Sequence, residues 1–173
     1  MSTEYDGVVY DLDGTLVSLD VDWDAVARDV ESVYRAASVA PDGRDLWGLL
    51  GAARANGIHD EVEAAIASHE LDGARSSERL RLADRLESES RPVGVCSLNC
   101  EAACRLALST HGLTDHVGVV VGRDTLSTWK PDPDPLLHAT AELGLAPSQV
   151  LFVGDSERDE RTAERAGTGF EYV

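Results

Sequence analysis

Four short apolar runs constrain this chain more than any other feature: GVVY at 7–10, PVGVC at 92–96, VGVVV at 117–121 and VLFV at 150–153. Each stops abruptly at a polar or turn residue. The runs are too continuous for strands with one wet face, so they predict strands buried on both sides. A weaker fifth run, FEYV, spans 170–173. Helical patterns over 101–111, 135–143 and 157–166 alternate with the later runs, and Gly144 and Gly167 stand as C-terminal stops. Strand–helix alternation of this kind predicts an α/β fold, a Rossmann-like doubly wound parallel sheet.

The first two runs are separated by residues 11–91, far more than one crossover helix needs. Within that stretch Trp23, Val26, Val30, Val33 and Ala37 recur at helical spacing, and further helical patterns cover 45–55, 60–67 and 77–87. Pro41-Asp42-Gly43, Asn56-Gly57 and Asp72-Gly73 supply breaks between them. The expectation is a core of residues 1–19 and 91–173 carrying a small helical insert at 20–90.

Charge narrows the function. Asp and Glu number 32 against 15 Lys and Arg, a formal charge of −17, which disfavours nucleic acid and anionic membranes as partners. No apolar run is long enough for a bilayer span, and MSTEYDGVVYD lacks the layout of a signal peptide, so a cytoplasmic protein is expected. The acidic skew resembles proteins of a salt-loving microbe such as a haloarchaeon. Cys96, Cys100 and Cys104 fall at intervals of four, but nothing completes a tetrahedral metal site, and they read as small buried apolar residues. His59, His69, His111, His116 and His138 are scattered, without catalytic spacing.

In an open parallel sheet, ligands bind beyond the carboxyl ends of the strands. Asp11 ends the first run, with Asp13 close behind; Ser97 ends the second; Lys130 follows the third; Asp155 ends the fourth, with Asp159 four residues on. Lys130 is the single lysine, the other 14 cations being arginine. A chain that keeps lysine at one site uses a compact point charge there, where a planar fork serves less well.

DLDGTLV, the apolar run ending in Ser97, WKPDPDP and VGDSERD resemble, in order and placement, the four motifs of the haloacid dehalogenase-like hydrolase superfamily. The insert matches in position a helical cap of that family. The resemblance implies a phosphatase acting on a small phosphorylated metabolite, with Asp11 as nucleophile and Asp13 as general acid and base. It implies phosphate contacts from Gly14, Thr15, Ser97, Asn99 and Lys130, and Mg²⁺ held by Asp11, Asp13 (through its carbonyl), Asp155 and Asp159. The second motif departs from many relatives, because Leu98 stands between Ser97 and the polar Asn99.

Within the superfamily, Asp13 argues against dehalogenases, which lack it, and a lysine-free insert argues against phosphonatases. The phosphoglycolate phosphatase-like branch is the best match, and a β-phosphoglucomutase-like transferase is the alternative. A receiver-type signalling domain would have no such insert, and a catalytically silent relative is expected to have lost one of Asp11, Asp13, Lys130 or Asp155. Arg28, Arg35, Arg44, Arg54, Trp47 and His59 are the insert's candidates for touching substrate. A monomer or homodimer is expected.

Overall fold

The computed structural model describes residues 4–173. In chain order its elements are β1 (Gly7–Tyr10), β2 (Val17–Ser18), α1 (Trp23–Ala36), α2 (Leu46–Ala53), α3 (His59–Arg75), β3 (Glu78–Arg79), α4 (Leu82–Glu87), β4 (Val93–Cys96), α5 (Glu101–Thr110), β5 (Val119–Val121), α6 (Asp134–Glu142), β6 (Val150–Gly154), α7 (Glu157–Ala166) and β7 (Gly169–Tyr172). Five strands form one sheet in the order β5-β4-β1-β6-β7, with every neighbouring pair parallel. The α/β expectation holds, and β1 lies at the centre, where Val8 is opposite Val93 on one side and Leu151 on the other.

The pleat divides each strand between two cores. Val8, Tyr10, Val95 and Val153 face a cluster built with Cys104, Ala107 and Leu108 of α5 and Leu86 of α4. Val9, Cys96, Val121 and Phe152 face the opposite cluster, with Leu136 of α6 and Ala163 of α7. Burying a Val or Leu completely contributes roughly 1.5–3 kcal/mol, so two dry faces, not hydrogen bonding alone, hold the sheet.

The insert has its own core. Val26, Val30 and Tyr34 of α1, Leu49 and Leu50 of α2, and Val62 and Ile66 of α3 pack together. Asp22 caps α1, accepting from the amides of Asp24 and Ala25, and Asp45 caps α2, accepting from Gly48 at 2.8 Å. The buried Tyr34 hydroxyl donates to the Leu49 carbonyl at 2.5 Å, tying α1 to α2.

Two expectations fail in the insert. The third helix does not stop near residue 67 but runs on to Arg75, through Asp72-Gly73. Gly73 is there for close approach: a Cβ would come within 2.6 Å of Val21 Cγ2 and 2.8 Å of the Asp20 carbonyl oxygen. The predicted helix at 77–87 instead begins only at Leu82, because Glu78–Arg79 pairs antiparallel with Val17–Ser18 as a two-stranded ribbon. That ribbon ties the entry of the insert to its exit. The end of α3 also leaves the insert's own core, since Ala74 packs in the first sheet cluster.

Candidate active site

Asp11 is the residue after β1, Ser97 the residue after β4 and Asp155 the residue after β6, so the parallel register delivers all three to one edge of the sheet. Gly14 turns the loop after β1 at φ 82°, and a side chain there would strike the Asp155 carboxylate. Glycine lets the loops after β1 and β6 touch.

Lys130 reaches in from the long loop after β5 and is 3% exposed. Its ammonium donates to Asp11 Oδ1 at 2.9 Å, Asp159 Oδ1 at 2.6 Å and the Cys96 carbonyl at 3.1 Å. All three of its hydrogens are thereby committed. Burial pulls the lysine pKa down, but the carboxylates of Asp11 and Asp159 push it up further, and the group stays cationic. Burial pushes Asp11 up to about 7 against the pull of Lys130, and burial likewise raises Asp13.

Asp11, Asp155 and Asp159 each present a carboxylate oxygen within 4.8 Å of the others. Three carboxylates around one ammonium leave an excess of negative charge in a site where Asp11 and Asp159 are almost fully buried. Hard oxygen donors with uncompensated charge fit Mg²⁺. Within that set Asp159 is the most committed: Oδ1 accepts from Lys130, and Oδ2 accepts from the Ser156 hydroxyl at 2.9 Å and the Asp155 amide at 3.3 Å. The Asp13 carboxylate lies outside the cluster and accepts from the Leu19 amide at 2.9 Å, which leaves its carbonyl as the donor expected of it.

The segment after β4 is organised from the insert. Ser97 Oγ donates to Asn99 Oδ1 at 3.0 Å and accepts from the Asn99 amide at 3.0 Å, while Asn99 Nδ2 donates to Glu70 Oε2 of α3 at 2.7 Å. A carboxylate only accepts, so Glu70 fixes the amide with its oxygen toward Ser97. Arg123, 1% exposed, pairs with Glu70 at 2.8 Å and Glu63 at 2.5 Å and donates to the Leu98 carbonyl at 2.9 Å. Its guanidinium also sits 5.8 Å from the Trp47 ring centre. Thr15 is buried, and its hydroxyl has no partner among the described residues.

A cavity of about 470 Å³ opens over these groups. Asp11, Asp13, Lys130, Asp155 and Asp159 line its floor together with Asn99, while Trp23, Leu46 and Trp47 of the insert and Arg158 of α7 line its upper wall. Ser97 does not reach the lining, and of the insert's candidates Trp47 does while Arg28, Arg35, Arg44, Arg54 and His59 do not. Glu70, Arg123 and Arg158 are absent from the sequence expectations. Arg123 had one legible sign, a cation two residues after the third strand run, as Lys130 is the cation of the loop beyond it.

The cysteines are free and buried, and desolvation pushes the thiols of Cys96 and Cys100 up to about 12, which suits packing and not nucleophilic chemistry. No helix among the described residues is long and apolar enough to cross a membrane.

The family model for haloacid dehalogenase-like hydrolases matches residues 74–173. The chain belongs to that family. The hydrolase is 32% identical to a phosphoglycolate phosphatase of Cereibacter sphaeroides over 190 aligned positions, covering 95% of this chain and 83% of the relative. It is 35% identical to a phosphoglycolate phosphatase of Rhodospirillum rubrum over 182 positions, covering 92% and 76%. Among solved structures it resembles a haloacid dehalogenase-family hydrolase of Deinococcus radiodurans with bound phosphate and sodium, at TM-score 0.63 and 20% identity over 98% of this chain and 81% of that one. The hydrolase is therefore an enzyme with phosphatase homologues, and its sheet and helical insert are those of the family's structures.

Proposed function

We propose that the hydrolase is a Mg²⁺-dependent phosphatase that cleaves a small organic phosphate monoester through an aspartyl-phosphate on Asp11, in the manner of phosphoglycolate phosphatases. The observation that carries this reading is the Asp11–Lys130 pair at 2.9 Å, buried beside Asp155 at the bottom of an open cavity.

Asp11 attacks phosphorus, forming a P–O bond to its carboxylate as the ester oxygen departs. Lys130 holds Oδ1 of the nucleophile and keeps a fixed positive charge beside it, which stabilises the ionised carboxylate that attack requires. Asp13, its carboxyl raised by burial, donates a proton to the leaving oxygen and then takes one from the water that hydrolyses the intermediate. Bound Mg²⁺ would neutralise phosphoryl charge and lower the repulsion between phosphate and carboxylates; Asp11, Asp155 and the Asp13 carbonyl would hold it. Asp159 serves as the residue that positions Lys130. Ser97 and Asn99 shape the adjoining loop, with Asn99 as the member that faces the cavity. The insert at 20–90 acts as the cap, supplying Trp23, Leu46 and Trp47 to the wall above the nucleophile.

The test is phosphate release from a panel of small phosphate esters, with and without Mg²⁺, for the native chain and Asp11→Asn. Mg²⁺-dependent release that the substitution abolishes is the expected result. Release that persists in Asp11→Asn would overturn the mechanism, and transfer of the phosphoryl group between sugar hydroxyls without net release would favour the mutase alternative.

A further inference from the structure

Arg158 is the one arginine among the described residues lining the cavity. It stands in the first turn of α7, one residue before Asp159, and is partly buried. Its neighbours three and four positions on are Arg161 and Thr162, so no acid lies within helical reach on that side. Arg161, one turn away, does find a carboxylate, pairing with Glu157 at 3.7 Å. Arg158 has no ion pair among the described residues, in a chain with 32 acidic groups against 15 basic ones. Its guanidinium instead lies 6.0 Å from the ring centre of Trp47, the same ring that Arg123 approaches, and Trp47 in turn packs against Trp23 at 6.0 Å between ring centres.

The contrast with Lys130 and Arg123 is chemical. Lys130 has spent its hydrogens on Asp11, Asp159 and Cys96, and Arg123 is closed off by Glu63, Glu70 and Leu98. Arg158 alone offers the cavity an uncommitted planar fork, the geometry suited to a carboxylate or phosphoryl group. The ring beneath it limits where that fork can point. The other charged group on the upper wall, Asp45, is engaged in capping α2 through Oδ1.

We propose that Arg158, steadied by Trp47, forms a subsite for a second anionic group carried by the leaving group of the substrate. The inference rests on the phosphatase reading for the orientation of that ligand, with the reacting phosphoryl over Asp11 and the second anion toward α7. The substrate class is then a short phosphate monoester bearing a carboxylate or a second phosphoryl group. A neutral alcohol leaves the fork unpaired in the cavity and binds less well.

Three inert phosphonates separate the possibilities, because their P–C bond cannot be hydrolysed: phosphonoacetate carries a carboxylate, methylenebisphosphonate a second phosphonate, and ethylphosphonate a neutral tail. Binding of each is measured by calorimetry in the presence of Mg²⁺ for the native chain, Arg158→Gln, Arg158→Lys and, as a control outside the cavity, Arg161→Gln. The native chain is expected to bind at least one anionic-tail probe more tightly than ethylphosphonate by on the order of tenfold to a hundredfold. Arg158→Gln removes that preference, Arg158→Lys retains part of it, and Arg161→Gln leaves it intact. Equal binding of all three probes by the native chain, or a preference that survives Arg158→Gln, overturns the subsite. Which anionic probe wins identifies the second group. Phosphate release from 2-phosphoglycolate and the rest of the ester panel is measured in parallel: a binding preference with no hydrolysis of any ester would leave the subsite standing and sink the phosphatase reading.

Discussion

Glu70 accepts a hydrogen bond from Asn99 Nδ2 at 2.7 Å and pairs with Arg123 at 2.8 Å, with its side chain fully buried. The insert thus reaches the segment after β4 through one carboxylate. Removing one member of a buried, hydrogen-bonded ion pair strands the other, at a cost of about 3–5 kcal/mol. Glu70→Gln is expected to lower stability in urea titration by less than that full amount, because Glu63 stays paired with Arg123. Pairing it with Arg123→Met should recover part of the loss, since the carboxylate then left without its partner, Glu63, is partly exposed and can be solvated. A double variant less stable than the sum of the single losses would contradict the pairing.

Asp159 and Asp155 belong to one carboxylate cluster, but of the two only Asp159 is bonded to Lys130. Asp159→Asn weakens the grip on Lys130 and is expected to lower kcat roughly tenfold to a hundredfold while the Mg²⁺ concentration for half-maximal rate changes little. Asp155→Asn is expected to raise that concentration by at least tenfold. A matching Mg²⁺ shift in both variants would make Asp159 a metal ligand.

Glu89 ties Arg91 at the exit of the insert, and Arg91 carries on to the Tyr5 carbonyl at 3.1 Å. The hydrogen bonds from Arg91 lower the Glu89 carboxyl from its ordinary 4.5 to about 2. A carboxylate with a depressed folded pKa stabilises above its unfolded value and loses that contribution as pH falls toward the folded one. Discounted for the partly exposed Arg91, the contribution is about 1 kcal/mol at neutral pH. Glu89→Gln should therefore destabilise at pH 7, with the gap to the native chain shrinking steadily below about pH 4.5. A gap independent of pH would place its cause in packing.

A formal charge of −17 repels itself across the surface. Raising KCl to multimolar concentration compresses the screening length to a few ångströms and should raise the midpoint of thermal unfolding. Unchanged unfolding between dilute and multimolar KCl would count against a salt-adapted surface.

The sheet was legible in the sequence because its cause is local. Four apolar runs ending in polar residues specify doubly buried parallel strands, and parallel strands deliver Asp11, Ser97 and Asp155 to one edge whatever the connections do. Lys130 stood out by composition, as the single lysine. The insert was legible as helical but not in its boundaries: Asp72-Gly73 carries turn chemistry, and only the packing of Gly73 against Asp20 and Val21 keeps it inside a helix. Glu78–Arg79 became a strand because a partner, Val17–Ser18, lay within reach.

The charges around the site divide in the same way. Periodicity and spacing report what a residue does for its own helix or strand, whereas an ion pair depends on where distant segments are packed. Glu70 and Arg123 are 53 positions apart, and nothing near either one announces the other. Folding buries both, and burial makes the pairing obligatory, because an isolated charge there would be far costlier than a paired one. Arg158 shows the converse. In sequence it is one arginine among fourteen, between acidic neighbours at 157 and 159; tertiary structure turns Asp159 inward to Lys130 and leaves the guanidinium over Trp47, facing the cavity. Local pattern alone specified the sheet and the residues at its strand ends. Tertiary structure decided which charges are spent within the protein and which are left for a ligand.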